Sequence, residues 1–254
     1  MSKTIAFINQ KGGVGKTTSC LNVGAALALK GYRVLLIDLD AQGNLTTSAG
    51  FEIEDEAPTV YEVLKGAADI NAAIKHRGSY DLLPADIRFS AAELELSNVP
   101  GREKLLQEAI EALKTAYDFI LIDCAPSLNV VTLMGLAAAN SVVIPIQAQY
   151  LPLKGVQQLL DTIDLVKKRI NKRLSIAGVV VTMYDSRKTL DREVLESVAA
   201  AFPEKVLAVI PNNVALAEAP AGGKDIYEYA PDSKGAAAYT ELTEKLIERI
   251  KENG

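Results

Sequence analysis

The chain has 254 residues, of which 49% are hydrophobic and 23% are charged, and its formal net charge is -5. This composition supplies enough apolar surface for a core and excludes disordered and fibrous proteins. The acidic balance argues against a surface built as a whole for nucleic acid, although a local basic patch stays possible. We expect one domain over residues 1–254, because α/β folds often reach this length as one unit.

The N-terminal segment has an apolar run of only about five residues, too short for the core of a secretory signal or for a membrane span. No other apolar stretch of the chain has spanning length. Cys20 and Cys124 have apolar neighbours, as is typical of small buried side chains in a reducing compartment. We therefore expect a cytoplasmic protein that does not enter a membrane.

Apolar runs alternate with helical patterns along the chain. Residues 3–9 are predicted as a buried strand, residues 17–30 as a helix closed by Gly31, and residues 33–38 as a second strand. Such a βαβ unit needs a right-handed crossover and a parallel sheet covered on both faces. The pattern predicts an α/β fold with a doubly wound, mostly parallel sheet of about seven strands and helices on both faces. The further predicted strands are 80–83, 119–123, 142–147, 177–183 and 206–210.

Between the first strand and the first helix lies Gln-Lys-Gly-Gly-Val-Gly-Lys-Thr-Thr, residues 10–18, which we call the phosphate loop. Its three glycines let the backbone turn N–H groups toward an anion, and the helix adds its positive N-terminal end. Lys16 can reach the β and γ phosphates, and the Thr17 hydroxyl can ligate Mg²⁺. The fold is therefore predicted as a P-loop NTPase with ATP and Mg²⁺ as cofactors. The residues expected to bind the nucleotide here are Lys11, Gly12, Gly13, Val14, Gly15, Lys16, Thr17 and Thr18.

The phosphate loop differs from the pattern G-x-x-x-x-G-K-[ST], because Gln10 stands where the first glycine is expected. Lys11 adds a second lysine to an already cationic loop, which costs repulsion unless an anion lies nearby. This variant loop resembles the deviant Walker A motif of the ParA/MinD family of P-loop ATPases. The resemblance implies that Lys11 reaches across a nucleotide sandwich dimer to the phosphates of the partner subunit. Lys11 and Lys16 would then both act in catalysis.

Two aspartates, Asp38 and Asp40, stand at the end of the second predicted strand. Alternate residues share a face, so both can point toward the metal and phosphates at the carboxyl edge of the sheet. Residues 119–123, followed by Cys-Ala-Pro-Ser, form a Walker B pattern whose last residue, Asp123, holds Mg²⁺ directly or through a water. We expect Thr17, Asp40 and Asp123 around the metal. The resemblance implies that Asp40 also orients the attacking water.

The resemblance covers essentially the whole chain and is closest to chromosomal ParA (Soj-type) proteins in segments 179–185 and 210–220. It implies that Pro211 and Asn213 contact the adenine base, with Met183 nearby. It also implies an ATP-dependent homodimer that binds double-stranded DNA non-specifically. A ParB-like partner would stimulate hydrolysis, in chromosome or plasmid partitioning, and the protein would be associated with the nucleoid.

The chain also departs from this family pattern. Soj-type proteins usually carry two arginines of their DNA surface where this chain has Asn212 and Ala215, and family members often have a glutamate where it has Gln149. Other bases remain as candidates for contact with DNA phosphates, and each phosphate neutralised should steepen the salt dependence of binding. These candidates are Lys167, Lys168, Arg169, Lys172, Arg173, Arg187, Lys188 and Arg192.

Four other functions stay open within the same superfamily. An orphan ParA-like ATPase could use the same cycle to position another cargo, such as a protein assembly. A MinD-like ATPase would need a basic amphipathic C-terminal helix, whereas residues 240–254 carry many acids. A reductase resembling the nitrogenase iron protein would need cysteines at a dimer axis, a spacing that Cys20 and Cys124 do not suggest. A metabolic ligase would turn over ATP only with a small carboxylate substrate.

Overall fold

The computed structural model describes residues 2–149 and 153–252. Eight strands in these ranges form one sheet. The strands are β1 Lys3–Phe7, β2 Val34–Leu39, β3 Lys75–Arg77, β4 Tyr80–Leu83, β5 Phe119–Cys124, β6 Ser141–Gln147, β7 Ser175–Tyr184 and β8 Val206–Pro211. Their order across the sheet is β3-β4-β2-β5-β1-β6-β7-β8, and every pair is parallel except β3 with β4.

Helices connect the strands. The α-helices of the described ranges are α1 Lys16–Leu29, α2 Asn44–Ser48, α3 Val60–Leu64, α4 Ile70–Ala73, α5 Ala92–Glu95, α6 Leu105–Glu111, α7 Val130–Ala138, α8 Leu153–Arg169, α9 Thr189–Ala201, α10 Val214–Glu218, α11 Ile226–Tyr229 and α12 Lys234–Glu252. Short 3-10 helices are Ile87–Ala91, Leu96–Asn98, Arg102–Lys104, Ala112–Thr115 and Ala219–Gly222. In the part of the chain that the structure describes, none of these helices combines the length and the apolar composition of a membrane crossing.

The predicted fold class is confirmed, and each of the seven predicted strands is present. The prediction missed β3, whose sequence Lys-His-Arg contains no apolar residue. It pairs with β4 at the edge of the sheet, after a tight turn in which Gly78 has a φ of +39°. Edge strands are often short and charged, which discourages pairing with other chains and removes the apolar signal.

The core has one layer on each face of the sheet, because successive strand residues point to opposite faces. In β1, Ile5 and Phe7 pack with apolar residues of α1 and α12. The neighbouring Ala6 and Ile8 pack on the other face, with apolar residues of α3, α6, α7, α8 and α9. All four side chains are fully buried. Burial on both faces explains why the parallel strands are continuously apolar instead of alternating.

The carboxyl ends of β1, β2 and β5 lie together in the middle of the sheet. Phe7 of β1 and Asp38 of β2 both stand opposite Asp123 of β5 in the strand register. The phosphate loop follows β1 directly, so the topology brings it to the same edge as both aspartates. This carboxyl edge is where open parallel sheets bind ligands.

Candidate functional site

The phosphate loop joins β1 to α1 with a backbone that only glycine adopts freely. Gly13 and Gly15 have φ values of +70° and +83°, in the left-handed region. Gly15 precedes the first turn of α1, and within the described chain no side chain caps that turn. The first N–H groups of a helix lack intrahelical acceptors and carry a partial positive charge. The loop therefore presents a binding site for an anion.

Thr182 of β7, two strands away from β1 in the sheet, fixes this loop. Its buried hydroxyl donates to the carbonyl oxygen of Val14 at 2.9 Å and also lies 3.3 Å from the carbonyl oxygen of Ile146. Its methyl carbon lies 3.5 Å from the position that a Cβ on Gly15 would take. Thr182 was not predicted as a site residue, although a single threonine within the apolar run of β7 was a weak signal for it.

Lys16 and Thr17 lie against the end of β5. Lys16 is 6% exposed, and its Nζ donates to the carbonyl oxygen of Lys11 at 3.1 Å. Burial lowers the pKa of Lys16, and attraction to Asp123 opposes that shift. Thr17 Oγ1 donates to Asp123 Oδ2 at 2.6 Å. The loop lysine, the helix hydroxyl and the strand carboxylate are thus brought together.

Asp123 has the chemistry of a metal ligand. Its Oδ1 is buried and has no hydrogen-bond partner among the described residues. Burial raises the pKa of Asp123 well above its usual range, and the negative charge of Asp38 adds to the shift. A cation at this carboxylate would offset both effects. One unpartnered carboxylate oxygen beside the Thr17 hydroxyl fits Mg²⁺, which takes oxygen ligands and keeps several waters.

Asp38, which the sequence placed near the metal together with Asp40, has both carboxylate oxygens engaged by hydrogen bonds within residues 38–46. Its Oδ2 accepts hydrogen bonds from the backbone N–H and the hydroxyl of Thr46, at 2.9 and 2.8 Å. Its Oδ1 accepts from the backbone N–H of Asp40 at 3.1 Å. Burial raises the pKa of Asp38 to about 7, and these hydrogen bonds oppose the shift. Asp38 therefore anchors residues 40–46 and positions Asp40.

Asp40 is partly exposed at the carboxyl edge. It begins a turn in which its Oδ1 accepts from the N–H of Gln42 at 3.0 Å and its carbonyl oxygen accepts from the N–H of Gly43 at 2.9 Å. Burial lowers the pKa of Lys16 and raises the pKa of Asp123. The negative charge of Asp40 raises both pKa values, so it opposes the shift of Lys16 and adds to the shift of Asp123. Its carboxylate therefore acts electrostatically on both groups.

A cavity of about 280 Å³ opens beside the phosphate loop, between the ends of β7 and β8. Met183, Pro211 and Asn213, the three residues predicted near the base, all line it. The Oδ1 atom of Asn213 is buried and has no partner in the described chain. An unpaired amide oxygen suits the exocyclic amine of adenine. The other lining residues are Gly15, Thr18, Thr182, Ile210, Asn212, Leu216, Ala217 and Tyr239.

Lys11 lies on the outside of the phosphate loop. Its side chain is exposed, and its Nζ donates to Oε1 of Gln147 at 3.2 Å. Its backbone N–H donates to Oδ1 of Asn9 at 3.0 Å. The two lysines of the loop therefore occupy different surroundings, since Lys16 is buried inside the loop and Lys11 faces outward.

The structure does not bring the eight predicted DNA contacts together. Five of them lie at the end of α8 and in the turn before β7, which is the amino edge of the sheet; these amino-edge bases are Lys167, Lys168, Arg169, Lys172 and Arg173. The other three follow β7 at the opposite edge; these carboxyl-edge bases are Arg187, Lys188 and Arg192. All eight are exposed.

One carboxyl-edge base is already neutralised. Arg187 pairs with Asp185, with 2.8 Å between Nη2 and Oδ2. Hydrogen bonds from Arg187 lower the pKa of Asp185 to about 2, so this aspartate keeps its negative charge. Arg192 donates to the hydroxyl of Thr189 at 3.2 Å. The larger basic group is therefore the one at the amino edge.

The chain is similar to known proteins in sequence and in structure. A family model described as an AAA domain matches residues 2–176. One curated relative is the sporulation initiation inhibitor protein Soj of Bacillus subtilis (strain 168), which is 47% identical over 249 residues; the match covers 97% of this chain and 98% of the relative. Another is the chromosome-partitioning ATPase Soj of Treponema pallidum (strain Nichols), which is 45% identical over 252 residues; the match covers 98% of each chain.

A solved structure of similar sequence contains a nucleotide. It is the crystal structure of cobyrinic acid a,c-diamide synthase from Mycobacterium smegmatis with bound ADP and magnesium. Its TM-score to this chain is 0.87 at 41% sequence identity, and the match covers 99% of this chain and 96% of that one. The similarity to all three proteins thus extends over nearly the whole length of the chain.

Proposed function

The chain belongs to the Soj/ParA family of P-loop partitioning ATPases, and from this we propose that it is an ATP-dependent partitioning switch. In this cycle an ATP-bound homodimer binds duplex DNA non-specifically, and a ParB-like partner stimulates hydrolysis and release. The predicted ATPase activity and the predicted cofactors, ATP and Mg²⁺, are confirmed by the family and by the ADP and magnesium in a close structural relative.

The observation that carries the proposal is the different placement of the two loop lysines. Lys16 is buried and hydrogen-bonded within the loop, where it can serve the phosphates of its own subunit. Lys11 is exposed at the same edge, where a second subunit placed face to face could receive it. A cation that reaches a partner's γ phosphate stabilises the charge that develops there during transfer.

Each remaining site residue then has a role. The amides of the phosphate loop bind phosphate oxygens, and Thr17 and Asp123 hold the metal. Mg²⁺ supplies neutralising charge between the β and γ phosphates. Asp40 orients the attacking water. The hydrogen bond from the backbone N–H of Asp40 to Oδ1 of Asp38 holds Asp40 in place. Met183, Pro211 and Asn213 receive the base. Hydrolysis acts as a timer for the dimer instead of converting a metabolite.

DNA contact is assigned chiefly to the amino-edge bases. These five exposed residues lie within seven positions, and Arg187 at the other edge is paired with Asp185. Phosphate contacts of this kind are independent of sequence and release counterions. The protein would then be associated with the nucleoid in the cytoplasm.

The test is duplex-DNA binding with ATP, with ADP and without nucleotide, each across a series of salt concentrations. We expect binding that requires ATP, ignores DNA sequence and weakens steeply with salt. A dimer in ATP that binds no duplex at low salt would overturn the DNA step and leave the ATPase assignment intact.

A second candidate function is the positioning of a different cargo. It is favoured by Asn212 and Ala215, which stand where related proteins usually carry arginines of the DNA surface. This candidate keeps the same ATP cycle and dimer but predicts no affinity for duplex DNA. The salt series therefore separates it from partitioning.

A third candidate is a metabolic ligase, which is favoured by the similarity to the cobyrinic acid a,c-diamide synthase from Mycobacterium smegmatis. It predicts that ATP turnover depends on a small carboxylic acid and is indifferent to DNA. Measuring ATPase rates with duplex DNA and with small carboxylates, each added alone, distinguishes the two activities.

A further inference from the structure

Gln147, at the end of β6, connects Lys11 to the base cavity. Its Oε1 accepts the hydrogen bond from Lys11 Nζ at 3.2 Å. Its Nε2 donates to Oε1 of Gln149 at 3.1 Å and lies 3.3 Å from Sδ of Met183. Both ends of one side-chain amide are therefore engaged, one by the exposed lysine and the other by a residue that lines the cavity.

The contacts of Nε2 determine which end of the Gln147 amide faces Lys11. The Gln149 carbonyl oxygen and the Met183 thioether both accept hydrogen bonds, so the NH₂ group belongs on their side. The amide oxygen then faces the ammonium group, which can only donate. If Met183 moves, the orientation of Gln147 loses one of its two supports, and the hold on Lys11 weakens.

Met183 is placed to respond to the base. Its φ is +56°, a left-handed conformation that is uncommon for a residue other than glycine. The pairing of β7 with β8 is interrupted between Val181 and Tyr184, so the strand ladder does not hold Met183 at this point. Methionine is unbranched and adapts its shape to its neighbours. A base that enters the cavity contacts the same side chain whose sulfur contacts Gln147.

We propose that Gln147 is a positioning residue that holds Lys11 within its own subunit until an adenine base, whose amine suits the unpartnered Oδ1 of Asn213, fills the cavity. Base binding, which moves Met183, then frees Lys11 for the partner subunit. This inference rests on the proposed ATP-bound dimer. A ligand shifts an equilibrium between two conformations only if it binds one of them more tightly. Here the two conformations are those with Lys11 held and with Lys11 released, and the contact of the base with Met183 provides the difference in affinity.

The neutral side chain of Gln147 suits a reversible hold. A carboxylate at this position would form a charge-assisted hydrogen bond with the Lys11 ammonium, which is roughly twice as strong as a neutral one. The amide instead leaves the lysine charge uncompensated and available to a phosphate. Gln147→Glu should therefore strengthen the hold, and Gln147→Ala should remove it.

The test measures the dimer dissociation constant by analytical ultracentrifugation at saturating nucleotide with Mg²⁺. The probes are the β,γ-imido analogues of ATP and of GTP, because guanine places a carbonyl oxygen where adenine has the amine that suits Asn213. Nucleotide affinity is measured separately by titration at protein concentrations below dimerisation. The variants are Gln147→Ala and Gln147→Glu, with Lys11→Ala as the reference for loss of the lysine.

We expect the wild type to dimerise about tenfold more tightly with the adenine analogue than with the guanine analogue, a factor that corresponds to about 1.4 kcal/mol. In Gln147→Ala the dimer should be at least as tight, and the two analogues should become equivalent. In Gln147→Glu dimerisation with the adenine analogue should weaken about tenfold while nucleotide affinity stays unchanged. A residue with a merely structural role would not change the dependence on the base.

The control is Gln158→Glu, which adds the same charge at an exposed position of α8 and should behave as the wild type. If the Gln147 variants retain wild-type dimerisation with both analogues while Lys11→Ala forms no dimer, only this inference is overturned. If Lys11→Ala still dimerises, Lys11 is not the group being held, and the inference is overturned. If the wild type forms no dimer with the adenine analogue, the proposed function fails and the inference fails with it.

Discussion

The hydroxyl of Thr17 donates to Oδ2 of Asp123 at 2.6 Å, which joins the first turn of α1 to the end of β5. The second oxygen of Asp123 is buried without a partner among the described residues, and its carboxylate lies near that of Asp38. The site is therefore suited to a cation, and without one the buried, uncompensated carboxylate lowers the stability of the nucleotide-free protein.

The first prediction follows from this cost. Asp123→Asn should keep or raise the melting temperature without nucleotide, because the amide removes a buried negative charge beside Asp38. The same variant should lose the stabilisation that Mg²⁺ and ATP give the wild type, which is about 2.7 kcal/mol at a nucleotide concentration of 100 times Kd. Thermal unfolding with and without Mg²⁺ and ATP measures both effects. If Mg²⁺ and ATP stabilise the variant as strongly as the wild type, Asp123 does not bind the metal.

The second prediction concerns Asp38. Both of its carboxylate oxygens accept hydrogen bonds, three in total. In Asp38→Asn an NH₂ group must face either the N–H of Asp40 or the two donors of Thr46. We expect a loss of about 1–3 kcal/mol in the free energy of unfolding, measured in urea at pH 8, since a buried donor is left unsatisfied. The comparison variant Thr46→Val removes the hydroxyl that donates to Asp38 and also accepts from the backbone N–H of Ala85 at 3.1 Å, so it should likewise cost about 1–3 kcal/mol.

Asp38 also gives a pH dependence whose sign is set by its raised pKa. The folded pKa of about 7 exceeds the usual value of 3.8, so the folded state binds this proton more tightly than the unfolded state. The stability from this group is fully present below about pH 4 and is lost as pH rises toward 7. The free energy of unfolding of the wild type, measured against that of Asp38→Asn, should therefore decrease across this window. A difference that does not change with pH would contradict the assignment.

The glycine spacing of the phosphate loop and the continuous apolar strands allowed the fold and the centre of the site to be predicted, because both signals are local in sequence. The residues that support the site gave at most a weak signal in the sequence. Thr182 contacts Val14 across 168 positions, and Gln147 contacts Lys11 across 136. These pairs exist only because β6 and β7 follow β1 in the order of the sheet. The amino-edge and carboxyl-edge bases were likewise predicted as one set, and the direction of β7 separates them.

The third prediction tests one of these supports. Thr182→Val keeps the shape of the side chain but removes the hydrogen bond to the carbonyl oxygen of Val14. A typical intramolecular hydrogen bond contributes about 1 kcal/mol. We expect the affinity for ATP to fall about fivefold, because the loop is held less firmly in its binding conformation. Isothermal titration gives the affinity, and Thr182→Ser, which keeps the hydroxyl, should bind as the wild type does. Equal affinities for all three proteins would show that the loop does not need this bond.

The fourth prediction concerns Asp40. Asp40→Ala should bind ATP with nearly wild-type affinity, because the phosphate loop and the base cavity do not include this side chain. It should hydrolyse ATP at least 100-fold more slowly, in the range by which a positioned acid or base accelerates a reaction. The dimer should persist after ATP is added, on a sizing column. The control Asp55→Ala removes an exposed acid of the neighbouring loop and should hydrolyse at the normal rate. Normal hydrolysis in Asp40→Ala would refute the water-orienting role.

The last prediction separates the two groups of bases. Replacing Lys167, Lys168 and Lys172 by glutamine should lower the slope of log K against log salt by up to about 2.7, at about 0.9 for each DNA phosphate that is no longer neutralised. The pair Lys188→Gln and Arg192→Gln, at the carboxyl edge, should leave the slope nearly unchanged, whereas two lost phosphate contacts would lower it by about 1.8. Both sets of residues are exposed, so these substitutions should change the melting temperature of the protein little, as surface substitutions usually do. DNA-binding isotherms between low and physiological salt, with ATP and Mg²⁺ present, give the slopes. If the amino-edge set leaves the slope unchanged while the carboxyl-edge pair reduces it, DNA binds beside the nucleotide site and the assignment to the amino edge is wrong.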